Sequence, residues 1–113
     1  MAKYQNKYSI PSSAKNRPIW ACAYDVDNDT GRSRLKQLPA KGIIQKGGRH
    51  ETFYLLRKDG TPRANGVNAS ARCYADTYEE CVEIYNELVD RRIKLLQSMI
   101  EETKEDYLVP KPI

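Results

Sequence analysis

Three acidic residues at alternate positions, Asp25, Asp27 and Asp29, precede Gly31 by an interval that suggests a cation-binding loop. Alternating carboxylates can converge on one hard cation, and a glycine permits the turn between them. The pattern departs from an EF-hand where it should be strongest. Its glycine stands one place late, and the twelfth position holds Lys36 where a bidentate Glu is required. A solvated hairpin turn is the preferred reading, and no metal site is assigned. The three cysteines, Cys22, Cys73 and Cys81, form no CxxC pair, and with the single histidine, His50, they give no zinc-ligand spacing. Cys73 and Cys81 fall on expected core faces, as small buried apolar residues do. His50 beside Glu51 has the makings of a general base, but no nucleophile stands near it, and there is neither a Walker-type loop nor a GxGxxG. The expectation is a protein that is not an enzyme and needs no cofactor.

The basic residues carry the remaining signal. Residues 1–74 hold 14 Lys and Arg against 5 Asp and Glu, a net +9, whereas residues 75–113 hold 5 against 10, a net −5. Arg32, Arg34, Lys46, Arg49, Arg57, Lys58, Arg63 and Arg72 fall on expected strands or the turns between them, some beside aromatics such as Tyr54 and Tyr74. Lys and Arg neutralise phosphates, Arg, Asn and Ser read base edges, and aromatics stack on unpaired bases. Asn68, Ser70, Arg72 and Tyr74 are expected to project from one strand face, with Val67, Ala69, Ala71 and Cys73 on the other.

These residues must be positioned by a single domain, because 113 residues support one modest core. Residues 1–17 lack a period and read as a flexible basic arm, and residues 18–113 as one α+β domain. Trp20, Cys22, Tyr24 and Val26 alternate with smaller or acidic residues, the pattern of a strand, and Asn28-Asp29-Thr30-Gly31 reads as a turn that residues 32–36 leave as a partner strand. Residues 42–46, 51–58 and 66–74 are further strands, with Asp59-Gly60-Thr61-Pro62 a strong turn. Thus three to five antiparallel strands over residues 18–74 precede a helix. That helix is expected over residues 77–107, with capping boxes Asp76-x-x-Glu79 and Thr77-x-x-Glu80 at its start, acidic residues in its first turns and apolar residues at helical spacing. Such a helix is about 46 Å long, so it overhangs, breaks near Ser98, or packs against another chain. Ile93, Leu96, Met99 and Ile100 lie on the part the sheet is too short to cover, which suggests a homodimer through the C-terminal helix. The expected core is Trp20, Tyr24, Phe53, Leu55, Val67, Tyr85, Leu88 and Leu96.

Residues 70–89 run SARCYADTYEECVEIYNELV. This stretch resembles the last strand and helix of the ethylene-response-factor-type DNA-binding domains, which also occur in phage and integrase-associated proteins. Tyr74, Asp76, Thr77, Glu79, Glu80 and Tyr85 stand at matching places, with Cys81 where Ala is usual. The resemblance implies a three-stranded antiparallel sheet packed on the helix, its outer face in the DNA major groove. Upstream, the Arg- and Trp-bearing first hairpin of that family is not recognisable, residues 59–66 are additional, and the helix is longer. The chain also resembles small accessory proteins carried by tailed phages.

No apolar run approaches the roughly 18–20 residues of a membrane span, and the first residues lack a signal peptide's apolar region. A cytoplasmic protein is expected, in the host cytoplasm if phage-encoded. The sequence points to a nucleic-acid-binding module, for DNA more than RNA, using a basic sheet face. The alternatives are a small interaction or inhibitor protein that binds a host or defence protein, or a binder of a phosphate-rich nucleotide.

Overall fold

A computed structural model describes residues 3–4, 12–25, 35, 37–47 and 50–108. The architecture is α+β: strands β1 (Lys3–Tyr4), β2 (Pro18–Ala23), β3 (Ala40–Gly47), β4 (His50–Leu55), β5 (Val67–Asn68) and β6 (Arg72–Ala75), then one helix, α1 (Tyr78–Lys104). The strands make a single antiparallel sheet in the order β1-β6-β2-β3-β4-β5.

Cross-strand partners share a face of the sheet, so the register sorts the residues. Cys22 opposes Cys73 and Trp20 opposes Ala75; these face the helix and join Cys81, Ile84 and Leu88 in one buried cluster. Ala21 opposes Tyr74 and Ile44 opposes Phe53; these face the other way and form a second cluster with Ala14, Ile19 and Ala69. The sheet is therefore apolar on both sides. The second cluster occupies the outer face of β2 and β6, the surface that the resemblance implies would lie in a groove.

Part of the segment read from sequence as an arm closes that cluster. A 3-10 turn, Ser12–Ala14, buries Ala14, and Asn16, in the left-handed region at φ 60°, donates its backbone N–H to the Ile44 carbonyl. Asn tolerates that conformation better than most residues. Lys15 pairs with Glu51 on β4, and Arg17 pairs with Asp76 at 2.8 Å, tying the segment to both ends of the sheet.

Two expectations are corrected. Residues 66–74 do not make one continuous strand: a 3-10 turn, Ala69–Ala71, separates β5 from β6. The Asn68 side chain stops the strand by accepting from both the backbone N–H and the hydroxyl of Ser70, the local competition that Asn side chains offer to a sheet ladder. Of the expected core, Phe53 and Leu88 are buried and Trp20, Tyr85 and Leu96 half-buried, but Tyr24, Leu55 and Val67 are exposed because they stand at strand ends or on the β5 edge. The expected partner strand over residues 32–36 lies, Leu35 apart, outside the described residues.

The helix begins where the capping pattern places it. Thr77 is the N-cap; its hydroxyl accepts from the Glu80 backbone N–H and donates to the Glu80 carboxylate at 2.9 Å. The helix ends at Lys104, three residues short of the expected limit, and spans about 40 Å. It runs unbroken through Ser98. Its buried residues, Glu80, Cys81, Ile84, Leu88 and Arg92, recur at helical spacing and stop at Arg92, so the last three turns extend past the sheet. No described helix is long and apolar enough to cross a membrane.

Candidate nucleic-acid interface

The basic residues converge on the hairpin beyond β4. Leu56 bridges to Pro62, Arg57 donates its N–H to the Thr61 carbonyl at 2.8 Å, and Arg63 donates to the Leu55 carbonyl at 2.8 Å. This ladder places Arg57 and Arg63 on the same side of a two-stranded ribbon, flanking its tip. Gly60, at φ 87°, supplies the backbone conformation that the tip requires. Asp59 accepts from both the N–H and the hydroxyl of Thr61, which holds its carboxyl below the usual range. The hairpin's one carboxylate is thus committed to the turn, whereas Arg57, Lys58 and Arg63 are exposed and have no ion-pair partner among the described residues. The root of the ribbon adds Lys41, exposed on β3, whose carbonyl accepts from the Leu56 N–H. By the same alternation Arg57 and Arg63 share the side of Leu55, and Lys41 lies on the opposite side with Tyr54.

At the hairpin root, on the side opposite Arg57 and Arg63, lies a sheet face on which the described helix does not pack. The described helix packs chiefly on β2 and β6, and on β1, and among the described residues no helix packs on the same face of β3, β4 and β5 to a comparable extent. The register puts Lys41, Ile43 and Gln45 of β3, Thr52 and Tyr54 of β4 and Asn68 of β5 on this face. Tyr54 is half-buried, and Gly66 closes against its ring: a Cβ there would stand 2.8 Å from the ring carbons. Trp20 borders the patch and meets Tyr78 edge-on at 4.9 Å. An aromatic ring among amide, hydroxyl and ammonium groups suits stacking and hydrogen bonding to bases.

Among the other residues singled out by sequence, Lys46 is exposed on β3, opposite Glu51. Arg32, Arg34 and Arg49 lie outside the described residues, as do Asp27, Asp29 and Gly31. Asn68, Ser70 and Arg72 do not share a strand face: Asn68 and Ser70 bond each other in the 3-10 turn, and Arg72 is half-buried with its guanidinium on the Ala71 carbonyl at 3.2 Å. Tyr74 offers no stacking surface. It is 0% exposed, edge-on to Phe53 at 5.5 Å, with its hydroxyl donating to the Ala69 carbonyl at 2.5 Å. Burial pushes its phenol up. Sequence alternation missed this because both sides of the sheet are cores.

Elsewhere the chemistry is quiet. Cys22, Cys73 and Cys81 are buried thiols in one cluster. Hydrogen bonding to Cys81, then burial, pushes the Cys22 thiol up, and burial pushes Cys73 up to about 12, so both stay protonated and unreactive at neutral pH. Among the described residues no three His, Cys, Asp or Glu side chains are placed to hold a metal ion. A cleft of about 160 Å³ lies between Tyr24, Asp25, Cys73, Glu87 and Arg91. It is smaller than the roughly 300 Å³ at which ligand pockets begin, and its two carboxylates face one guanidinium, the wrong balance for a nucleotide. Ile93, Met99 and Ile100 are exposed and Leu96 half-buried, all on the helix beyond the sheet. No protein-family model matches this chain, and no curated protein or solved structure matches it either, so the basic hairpin and its neighbouring face stand as the candidate site on their own chemistry.

Proposed function

We propose that this chain is a non-enzymatic nucleic-acid-binding module. In this reading Arg57, Lys58 and Arg63 hold a phosphate backbone at the hairpin, Lys41 adds a cation on the opposite side of its root, and Tyr54, Gln45 and Thr52 on that opposite side are open to bases of a strand that crosses the root. The observation that carries it is the concentration of exposed cations, without ion-pair partners among the described residues, on one hairpin whose single acid is already bonded to Thr61. An ordinary soluble surface intersperses its charges, whereas a cluster of one sign is the electrostatic footprint of a polyanion site. Most of the described acidic residues lie instead on the helix or just past its end, with Glu51 of β4 paired to Lys15. The resemblance of residues 70–89 to a DNA-binding strand and helix agrees with the class and favours DNA over RNA.

The test is fluorescence anisotropy with labelled duplex DNA, single-stranded DNA and RNA at about 50 and 200 mM salt. Releasing counterions from about four phosphates gives a slope near −3.6 in log–log form and about a 150-fold loss of affinity over that range. Replacing Arg57, Lys58 and Arg63 together with Ala should lower the slope to near −1. Binding that does not weaken with salt, or a triple variant with an unchanged slope, refutes the reading. Absence of binding to all three probes at micromolar protein redirects attention to a protein partner.

A further inference from the structure

The last three turns of α1 extend beyond the sheet and carry an apolar seam. Ile93, Leu96, Ile100 and Thr103 follow each other at intervals of three, four and three residues, the heptad spacing that keeps one stripe facing a partner helix. Ile93 is 47% exposed and Ile100 54% exposed, and Met99 lies open beside them. Met99, Ile100, Thr103, Lys104, Asp106 and Tyr107 line a shallow groove at the end of the helix.

We infer that a second copy of this chain occupies this seam, with the two helices antiparallel. The argument is charge complementarity at the positions that flank the seam: Asp90 stands before it and Lys104 at its end, both exposed, with Lys104 reaching its neighbour Glu101 at 3.2 Å within one copy. A parallel pair would set Arg92 against Gln97 and Met99 against Lys104, with no acid opposite either base. With Ile93 and Ile100 at the a positions, Leu96 and Thr103 are at d, and Asp90, Gln97 and Lys104 at e. Antiparallel coiled coils oppose e to e, so Asp90 of each copy meets Lys104 of the other, and the two Gln97 side chains meet at the two-fold axis. The result is an isologous, closed contact that leaves the same surface on neither copy unpaired. The buried stripe stops at Arg92, so the two sheets sit at opposite ends of the pair and do not collide. About a dozen residues a side is a small interface, and the expected Kd is roughly micromolar.

Sedimentation velocity on the full chain, from about 1 to 200 μM, tests the association. The expected result is a reversible shift from 13.0 kDa towards twice that mass. Ile100→Asp should hold the protein monomeric over the whole range with its helical circular dichroism unchanged, since Ile100 is 54% exposed and lies beyond the last buried residue of the helix. Orientation is read with a short bis-maleimide. Gln97→Cys should cross-link to dimer in high yield and Ile93→Cys should not, because the antiparallel register sets the two Ile93 sites about ten residues apart along the pair. The native thiols are buried and do not compete. A wild type that stays monomeric at 200 μM overturns the inference. So does a dimer that survives Ile100→Asp, or cross-linking through position 93 in preference to 97. None of these outcomes depends on nucleic-acid binding.

Discussion

Gly42 is a position where the absence of one carbon decides the core. It sits on β3 between Ile19 of β2 and Leu55 of β4, and a Cβ built there would lie 2.2 Å from Phe53 Cζ, 2.4 Å from Phe53 Cε1 and 2.5 Å from the Tyr54 carbonyl oxygen. Real Cβ atoms do not approach so closely, so Gly42→Ala must move either the ring or the backbone. The ring has nowhere to go: Phe53 is buried and held edge-on to Tyr74. Forcing a methyl group into a filled core costs typically 1–3 kcal/mol, and with backbone as well as ring in the way the upper end applies. For a chain of this size about 3 kcal/mol lowers Tm by roughly 12 °C. Urea unfolding should show a lower midpoint with unchanged m. The cause is separable by a double-mutant cycle with Phe53→Leu, which shortens the ring that blocks the site. The pair should cost about 1–2 kcal/mol less than the sum of the singles, the remainder reflecting the Tyr54 carbonyl. A Gly42→Ala variant within about 0.5 kcal/mol of wild type, or strict additivity with Phe53→Leu, would refute this account of the ring over the glycine.

Two further predictions concern buried groups. Arg92 is 8% exposed, and both terminal guanidinium nitrogens are buried without a hydrogen-bond partner among the described residues; replacing this cation with Met should raise stability by about 1–4 kcal/mol, and a fall in Tm on thermal melting would show that the guanidinium is satisfied in solution. Alkaline pH should destabilise the fold through its thiols. Cys22 and Cys73 titrate above their ordinary value of 9.0 when folded, so the unfolded chain loses protons that the native state retains; stability should be level below about pH 8, then fall above pH 9 by up to about 1.4 kcal/mol per pH unit for each thiol, until the native thiols themselves ionise near pH 12 for Cys73. Urea midpoints between pH 7 and 10.5 measure this, and a flat profile contradicts it.

The helix was legible because its signals are local and redundant: a Thr-x-x-Glu box, acids in the first turn, and apolar residues at a single period. So was the hairpin tip, where Asp59-Gly60-Thr61 states its own turn. Residues 66–74 show where local reading fails. Gly, Val, Asn, Ala and Ser alternate well enough to suggest a strand, but small side chains carry little information about which face they occupy, and the Asn68 cap turns the chain before β6. Tyr74 is the sharper case. Alternation assigned it to a solvent face on the premise that one side of the sheet is wet; the Ser12–Ala14 turn, some sixty residues away, and the adjacent Ala69–Ala71 turn, itself misread as strand, cover that side. The pairing of Lys3–Tyr4 with β6 is similarly long-range, with two residues carrying no period to read. For the candidate site, Arg57, Lys58 and Arg63 were visible as charge beside a turn. The face bearing Gln45, Thr52 and Tyr54 was not, because its openness depends on how far across the sheet the helix reaches.

Both edges of the sheet are two-residue strands, Lys3–Tyr4 on one side and Val67–Asn68 on the other. A strand that short offers too few free N–H and C=O groups to template a further chain. Pro62, across the hairpin from Leu56, can donate nothing to an incoming strand. The molecule is thus guarded against growth by strand addition, the route to fibrillar aggregates, at the same time as it leaves a helix face bare. Concentrated solutions should therefore form discrete, reversible complexes and not open-ended ones, and the sheet, with the basic hairpin it carries, stays available for its own partner.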